Sequence, residues 1–213
     1  MLTVLEVAGI FVFALSGAAL AVRQRLDIIG ATSLALVTAL AGGVLRDVVI
    51  GDTPPLAFRE PRYLVIPLIA TFVVVAAPRL PGALHRPVLV FDAAGLGLFT
   101  VVGARRAIEA GLGLGATVLI GVISAAGGGI VRDMLVSQVP QVFRPGSRLY
   151  VLPATAGALG VAVAAKFDLA PDTVSVVVAL AVFVLRMLAL RYGWSTSPLG
   201  TGRRRRFTRG TGS

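Results

Sequence analysis

The chain has 213 residues, of which 56% are hydrophobic and only 14% charged, and its mean hydropathy is +0.90. An average soluble domain carries roughly 25% charged residues, so this composition excludes an ordinary soluble globule and predicts a membrane protein. With no cysteine and a single histidine, His85, the chain cannot form a disulfide, a thiolate metal site or a histidine site of its own.

Windows of about 20 residues, the length that crosses a hydrocarbon core about 30 Å thick, give seven predicted spans. They cover 3–22, 28–50, 61–78, 88–105, 112–136, 149–166 and 172–191. The first has no basic segment before it and carries Glu6, so it reads as a span and not as a secretory signal. Gly9, Phe13 and Gly17 recur every four residues along it, a small-residue face that admits close helix approach in lipid. The second span passes Thr32, Ser33 and Thr38, hydroxyls that either line water or bond back to their own helix.

The second span then meets Gly42-Gly43 and, three residues on, Arg46-Asp47, before Gly51-Asp52-Thr53-Pro54-Pro55 ends it in a turn. Span three opens near Pro61 and contains Pro67, and the Pro-rich connector 78–87 divides the chain. Beyond it the first half is repeated without a gap at an offset of 86. Glu6 corresponds to Asp92, Gly9 to Gly95, Phe13 to Phe99, Gly17 to Gly103, Gly42 and Gly43 to Gly128 and Gly129, Arg46 to Arg132, Asp47 to Asp133, Arg62 to Arg148 and Pro67 to Pro153. Each copy holds three spans, an odd number, so the second copy is expected to enter the membrane from the opposite face as an inverted repeat. The predicted organisation is a first repeat at 1–80, a second at 88–166, a seventh helix at 172–192 and a basic, disordered tail at 195–213 with its Arg203–Arg206 run.

If the spans alternate, twelve of the basic residues fall on the side of the C-terminal tail and five on the other, with Arg46, Arg132 and Arg186 inside spans. The positive-inside rule then sets the C-terminus in the cytoplasm and the N-terminus outside. It also accounts for the net charge of +10 without a nucleic-acid partner, because the cations are dispersed over short loops and a tail.

Glycine costs a helix roughly 1 kcal/mol relative to alanine, and three of them, Gly127, Gly128 and Gly129, precede Arg132-Asp133. Gly42, Gly43, Gly127, Gly128 and Gly129 are therefore expected to break their helices, a feature tolerated in lipid only where protein or water satisfies the backbone. The alternative is that they serve close packing. A charge at bilayer depth needs a partner, and the expected pairs cross the repeats, Arg46 with Asp133 and Arg132 with Asp47, the alternative being that either pair sits at an interfacial end of its span. Glu6 and Asp92 either complement helix N-termini or concentrate cations at two mouths. Arg62 and Arg148 are expected to snorkel to the interface. Thr38 and Ser124 are further candidates for a polar path. No nucleophile with a base, P-loop or metal motif is present, so no enzyme activity and no cofactor are expected.

Seven spans in a three-plus-three repeat, with Gly-Gly-x-x-Arg-Asp in both halves and a proline seven residues after each Asp, resemble the prokaryotic trimeric intracellular cation (TRIC) channel family. The resemblance covers residues 3–192. It implies a homotrimer with a pore in each subunit, kinked second and fifth spans, and permeant potassium or sodium ions in place of any cofactor. By the same resemblance the pore maps onto the five glycines and Arg46, Asp47, Arg132 and Asp133. The small-residue faces Gly9 to Gly17 and Gly113 to Gly121 are candidate subunit contacts. The family has also carried the label of a glycine transporter, so a carrier of a small solute such as glycine is the rival function, and a structural scaffold the third. Membrane lipid is the other expected partner, with no soluble protein partner.

Overall fold

The computed structural model describes residues 1–77, 85–144 and 149–194, and for His85 the backbone alone. All the regular structure among these residues is helical. The helices are α1 (Leu2–Arg23), α2 (Ile28–Ile50), α3 (Leu56–Arg59), α4 (Pro61–Ala76), α5 (His85–Glu109), α6 (Leu114–Leu135), α7 (Val151–Lys166) and α8 (Pro171–Tyr192), with a 3-10 turn at Gln141–Phe143. Among them α1, α2, α5, α6 and α8 are long and apolar enough to cross a membrane, while α4 and α7 are shorter apolar helices of 16 residues. The predicted tail at 195–213, its Arg203–Arg206 run, the connector at 78–84 and Arg148 lie outside the described residues.

Local chemistry sets the helix ends. Asp27 caps α2 by accepting the Gly30 N–H at 2.7 Å, and prolines open α4 and α8 in the first turn, where the missing N–H costs nothing. α2 stops at Gly51, whose φ of 81° suits a residue without a Cβ. At the corresponding exit from α6 the left-handed residue is Ser137, with φ 55°.

Two helix pairs form the centre. α1 packs on α5, and α2 on α6, with α4 against α1 and α2 and with α7 and α8 against α5. Gly9 faces the ring of Phe99 while Gly95 faces the ring of Phe13, so α1 and α5 run antiparallel. Gly42 lies on the Ser124 carbonyl and Gly128 on the Thr38 carbonyl, so α2 and α6 are antiparallel as well. The Phe13 and Phe99 rings stack at 5.3 Å and 16°, a contact worth about 0.5–1.5 kcal/mol beyond the area it buries. Alanines such as Ala14, Ala18, Ala35, Ala93 and Ala125 fill the remaining buried positions, which keeps the axes close.

The first small-residue face and part of the second are used within the chain, where the sequence suggested contacts with other subunits. Gly9 and Gly17 are buried against α5 and α2, and Gly121 against Ala158 and the Thr100 carbonyl. Only Gly113 and Gly115 of that second face border open space. In lipid, small residues give close van der Waals contact wherever a helix has a neighbour, and here the neighbour is within the chain.

Candidate functional site

Near the end of α2, Arg46 is 1% exposed. Its Nε donates to Asp47 Oδ1 at 2.8 Å and its Nη2 to Glu6 Oε1 at 2.8 Å. The second oxygen of Glu6 accepts Arg106 Nη2 at 3.1 Å and the Tyr63 hydroxyl at 3.4 Å. The second oxygen of Asp47 accepts the Leu56 N–H at 3.0 Å and so holds the start of α3. Two guanidiniums thus face Glu6 and Asp47, with Glu109 3.6 Å from Arg106 Nη1 at the edge. Each buried ion has a charged partner, while Arg46 Nη1 and Arg106 Nε have no hydrogen-bond partner among the described residues.

The end of α6 repeats the pattern. Arg132 Nε donates to Asp133 Oδ1 at 2.9 Å, and its Nη1 to Asp92 Oδ1 at 2.9 Å and to the Ser16 hydroxyl at 2.7 Å. The Tyr150 hydroxyl donates to Asp92 Oδ1 at 3.3 Å, and Asp133 Oδ2 accepts the Gln141 N–H at 3.0 Å. Here the second cation is Arg186 of α8, whose guanidinium lies 4.7 Å from the centre of the Tyr150 ring. It donates to the Leu149 carbonyl at 3.2 Å and to Gln141 Oε1 at 2.9 Å. Because α1 and α5 are antiparallel, the two clusters occupy opposite ends of the bundle.

The expected cross-repeat pairs, Arg46 with Asp133 and Arg132 with Asp47, are not formed. Each arginine bonds the aspartate that follows it and the carboxylate 40 residues before it. The 100° between adjacent helical residues separates their Cβ atoms, but an arginine side chain is long enough to turn back. Its Nε reaches the neighbouring carboxylate while the terminal nitrogens go on to another helix. Glu6 and Asp92 do not occupy the first turns of their helices and do not serve as N-terminal charges; they are 3% and 0% exposed and hold the arginines.

The expected helix breaks are also absent. α2 runs unbroken through Gly42 and Gly43, and α6 through Gly127, Gly128 and Gly129. A Cβ at Gly42 would fall on the Ser124 carbonyl oxygen and one at Gly128 on that of Thr38. An intact ladder leaves no backbone group unsatisfied in lipid, and the missing side chains are used for contact instead. Gly43 differs, since the nearest atoms to its Cβ position, on Arg46 and Phe99, are 3.9 Å away. It borders a cavity of about 20 Å³ shared with Glu6, Arg46, Tyr63 and Phe99, room for about one water. At the matching Gly129 the Tyr150 hydroxyl stands 2.8 Å and Asp92 Oδ1 3.3 Å from the Cβ position.

Thr38 is buried and bonds the Leu34 carbonyl of its own helix, whereas the buried Ser124 hydroxyl has no hydrogen-bond partner among the described residues. Arg62 is exposed, 3.3 Å from Glu60 and over the Tyr63 ring at 5.4 Å. Tyr63, Tyr150, Ser16 and Arg106 escaped the reading of the sequence. The tyrosines are 87 residues apart, so an alignment at 86 pairs neither with the other, although each bonds the matching carboxylate.

A family described as "Glycine transporter" matches residues 3–79 and 89–166. A UPF0126 membrane protein of Streptomyces coelicolor is 40% identical over 211 residues, 96% of either chain. The UPF0126 inner membrane protein YadS of Escherichia coli is 32% identical over 190 residues, 88% of this chain and 91% of its own. Among solved structures, the TRIC trimeric intracellular cation channel orthologue from Rhodobacter sphaeroides superposes with a TM-score of 0.84 at 34% identity, covering 90% of this chain and 98% of that one. A second structure, described for conductance through TRIC cation channels, gives 0.81 at 30% identity, with 92% and 96% covered.

Proposed function

The chain belongs to this family of multi-pass membrane proteins, which takes in the prokaryotic TRIC channels, and we propose that it is a potassium-conducting cation channel with a pore in each subunit of a homotrimer. The observation that carries the reading is the superposition on the Rhodobacter sphaeroides channel over nearly the whole of both chains. Its solved relatives are channels and not enzymes.

In this reading seven helices span the membrane, α4 and α7 included, and 1–80 and 88–166 are inverted copies followed by a seventh helix at 172–192 and a basic tail. The reciprocal contacts of Gly42 and Gly128 support the inversion, as does the recurrence of one arginine cluster at each end. The path runs between the two clusters beside Gly43, which borders a cavity, with Thr38 and Ser124 as its polar neighbours, and needs no cofactor beyond permeant potassium or sodium. The protein resides in the cell membrane among lipids, with the N-terminus outside and the C-terminus in the cytoplasm.

Purified protein in planar bilayers under a potassium gradient is expected to give unitary current steps. Cross-linking in mild detergent is expected to stop at three subunits, and a ladder ending at two would refute the trimer. The family description favours a second reading, a carrier of glycine. A carrier needs alternating access to a midplane site, so saturable glycine uptake without ionic current would decide for it.

A further inference from the structure

Four glycines, one from each of four helices, surround a single pair of aromatic rings. Phe13 of α1 faces Gly95 of α5 and lies 3.8 Å from the Cβ position of Gly128 on α6. Phe99 of α5 faces Gly9 of α1 and lies 3.9 Å from that of Gly43 on α2. The rings are stacked and 1% and 2% exposed. We propose that the Phe13–Phe99 pair is the barrier of the conduction path and sets how fast cations cross; this rests on the channel reading above.

Three observations support a barrier over ordinary core packing. The pair lies between the Glu6–Arg46 cluster at one end of the bundle and the Asp92–Arg132 cluster at the other. The small cavity bordered by Glu6, Gly43 and Arg46 also has Phe99 in its wall, so one ring of the pair faces the space next to that cluster. And each ring abuts two glycines, Phe13 on Gly95 and Gly128 and Phe99 on Gly9 and Gly43, so trimming the rings opens space beside four backbones that carry no side chain. An apolar constriction of this kind excludes water and, with it, hydrated ions.

The absence of cysteine allows a test that does not depend on current. Gly43→Cys introduces a lone thiol where a Cβ fits, and silver ion, a thiol-reactive cation near potassium in size, is the probe. In reconstituted full-length protein, Ag+ applied from the side of Glu6 should modify the thiol, and from the other side much more slowly. Adding Phe13→Ala and Phe99→Ala should raise the slow rate by about tenfold or more. Equal rates from both sides before the rings are removed, or no acceleration afterwards, overturns the proposal. If the double-alanine chain does not assemble, Phe99→Val alone carries the test with a smaller acceleration, while Phe99→Tyr keeps the ring and should leave the rate low. Potassium flux measured on the same samples separates the two ideas: accelerated modification with no flux in either chain removes the channel reading and leaves the barrier standing.

Discussion

Arg132 Nη1 lies 2.9 Å from Asp92 Oδ1, and Arg46 Nη2 lies 2.8 Å from Glu6 Oε1, so each buried arginine is paired with a carboxylate of a neighbouring helix in its own half. Removing one partner of such a pair leaves an uncompensated buried charge, at a cost of about 3–5 kcal/mol.

Arg46→Met and Glu6→Gln should therefore each destabilise the protein by that order, and the double variant should lose clearly less than the sum. Arg46→Met with Asp133→Asn should be close to additive, since those residues belong to different clusters. Thermal unfolding in detergent across both cycles reads the coupling directly. Additivity of Arg46 with Glu6 would contradict the geometry.

The glycines should separate by neighbour and not by motif position. Gly42→Ala forces a methyl onto the Ser124 carbonyl, an overpacking that costs about 1–3 kcal/mol and falls on a backbone that cannot swing away. Gly43→Ala meets nothing within 3.9 Å and gains helix propensity, up to about 1 kcal/mol. Parallel melts of the two variants check this, and equal losses at both positions would sink it.

How much of this was legible in the residues follows from what each signal measures. Composition and the 86-residue offset carry the membrane character and the matched pairs, because hydropathy and repeated charge survive in one dimension. The partners of Arg46 and Arg132 were not legible, since reaching Glu6 or the adjacent Asp47 depends on the path of a flexible side chain. The glycine run was read as a break because propensity counts only the local cost; the contact between α2 and α6 that fixes its role is tertiary. Tyr63 and Tyr150 were lost because they stand one position out of a register that holds on both sides of them, at Arg62 with Arg148 and at Pro67 with Pro153.

At the exits of α2 and α6 one half uses Gly51 and the other Ser137 for a left-handed residue. A side chain in that conformation costs roughly 1–2 kcal/mol, partly offset by the lower unfolded entropy of serine relative to glycine. Ser137→Gly should stabilise the protein by about 0.5–1 kcal/mol, and Gly51→Ser should destabilise it by a similar amount. Thermal midpoints moving in opposite directions are the expected result; two downward shifts would show that the Ser137 side chain has a stabilising role of its own.

The eighth helix, α8, reads in the sequence as a topological addition, yet Arg186 makes it part of the Asp92–Arg132 cluster. Its guanidinium covers the Tyr150 ring and bonds both the Leu149 carbonyl and Gln141 Oε1, while the Leu149 N–H bonds the Trp194 carbonyl just past the end of α8. Leu149 and Gln141 flank the re-entry from α6 into α7, and Gln141 in turn donates to Asp133. A hydrogen bond to a charged group contributes about 1.5–3 kcal/mol, so Arg186→Met, which keeps the stem and removes the charge, should cost on the order of 3 kcal/mol. Arg186→Lys should recover little, because an ammonium lacks the planar fork that serves two acceptors and the ring face together. The effect should be local before it is global: amide exchange at Gln141 and Leu149 should quicken while the amides of α1 keep their protection. If exchange at those two positions is unchanged in Arg186→Met, α8 does not hold the re-entry segment, and the position of Tyr150 over Asp92 must be fixed by α7 alone.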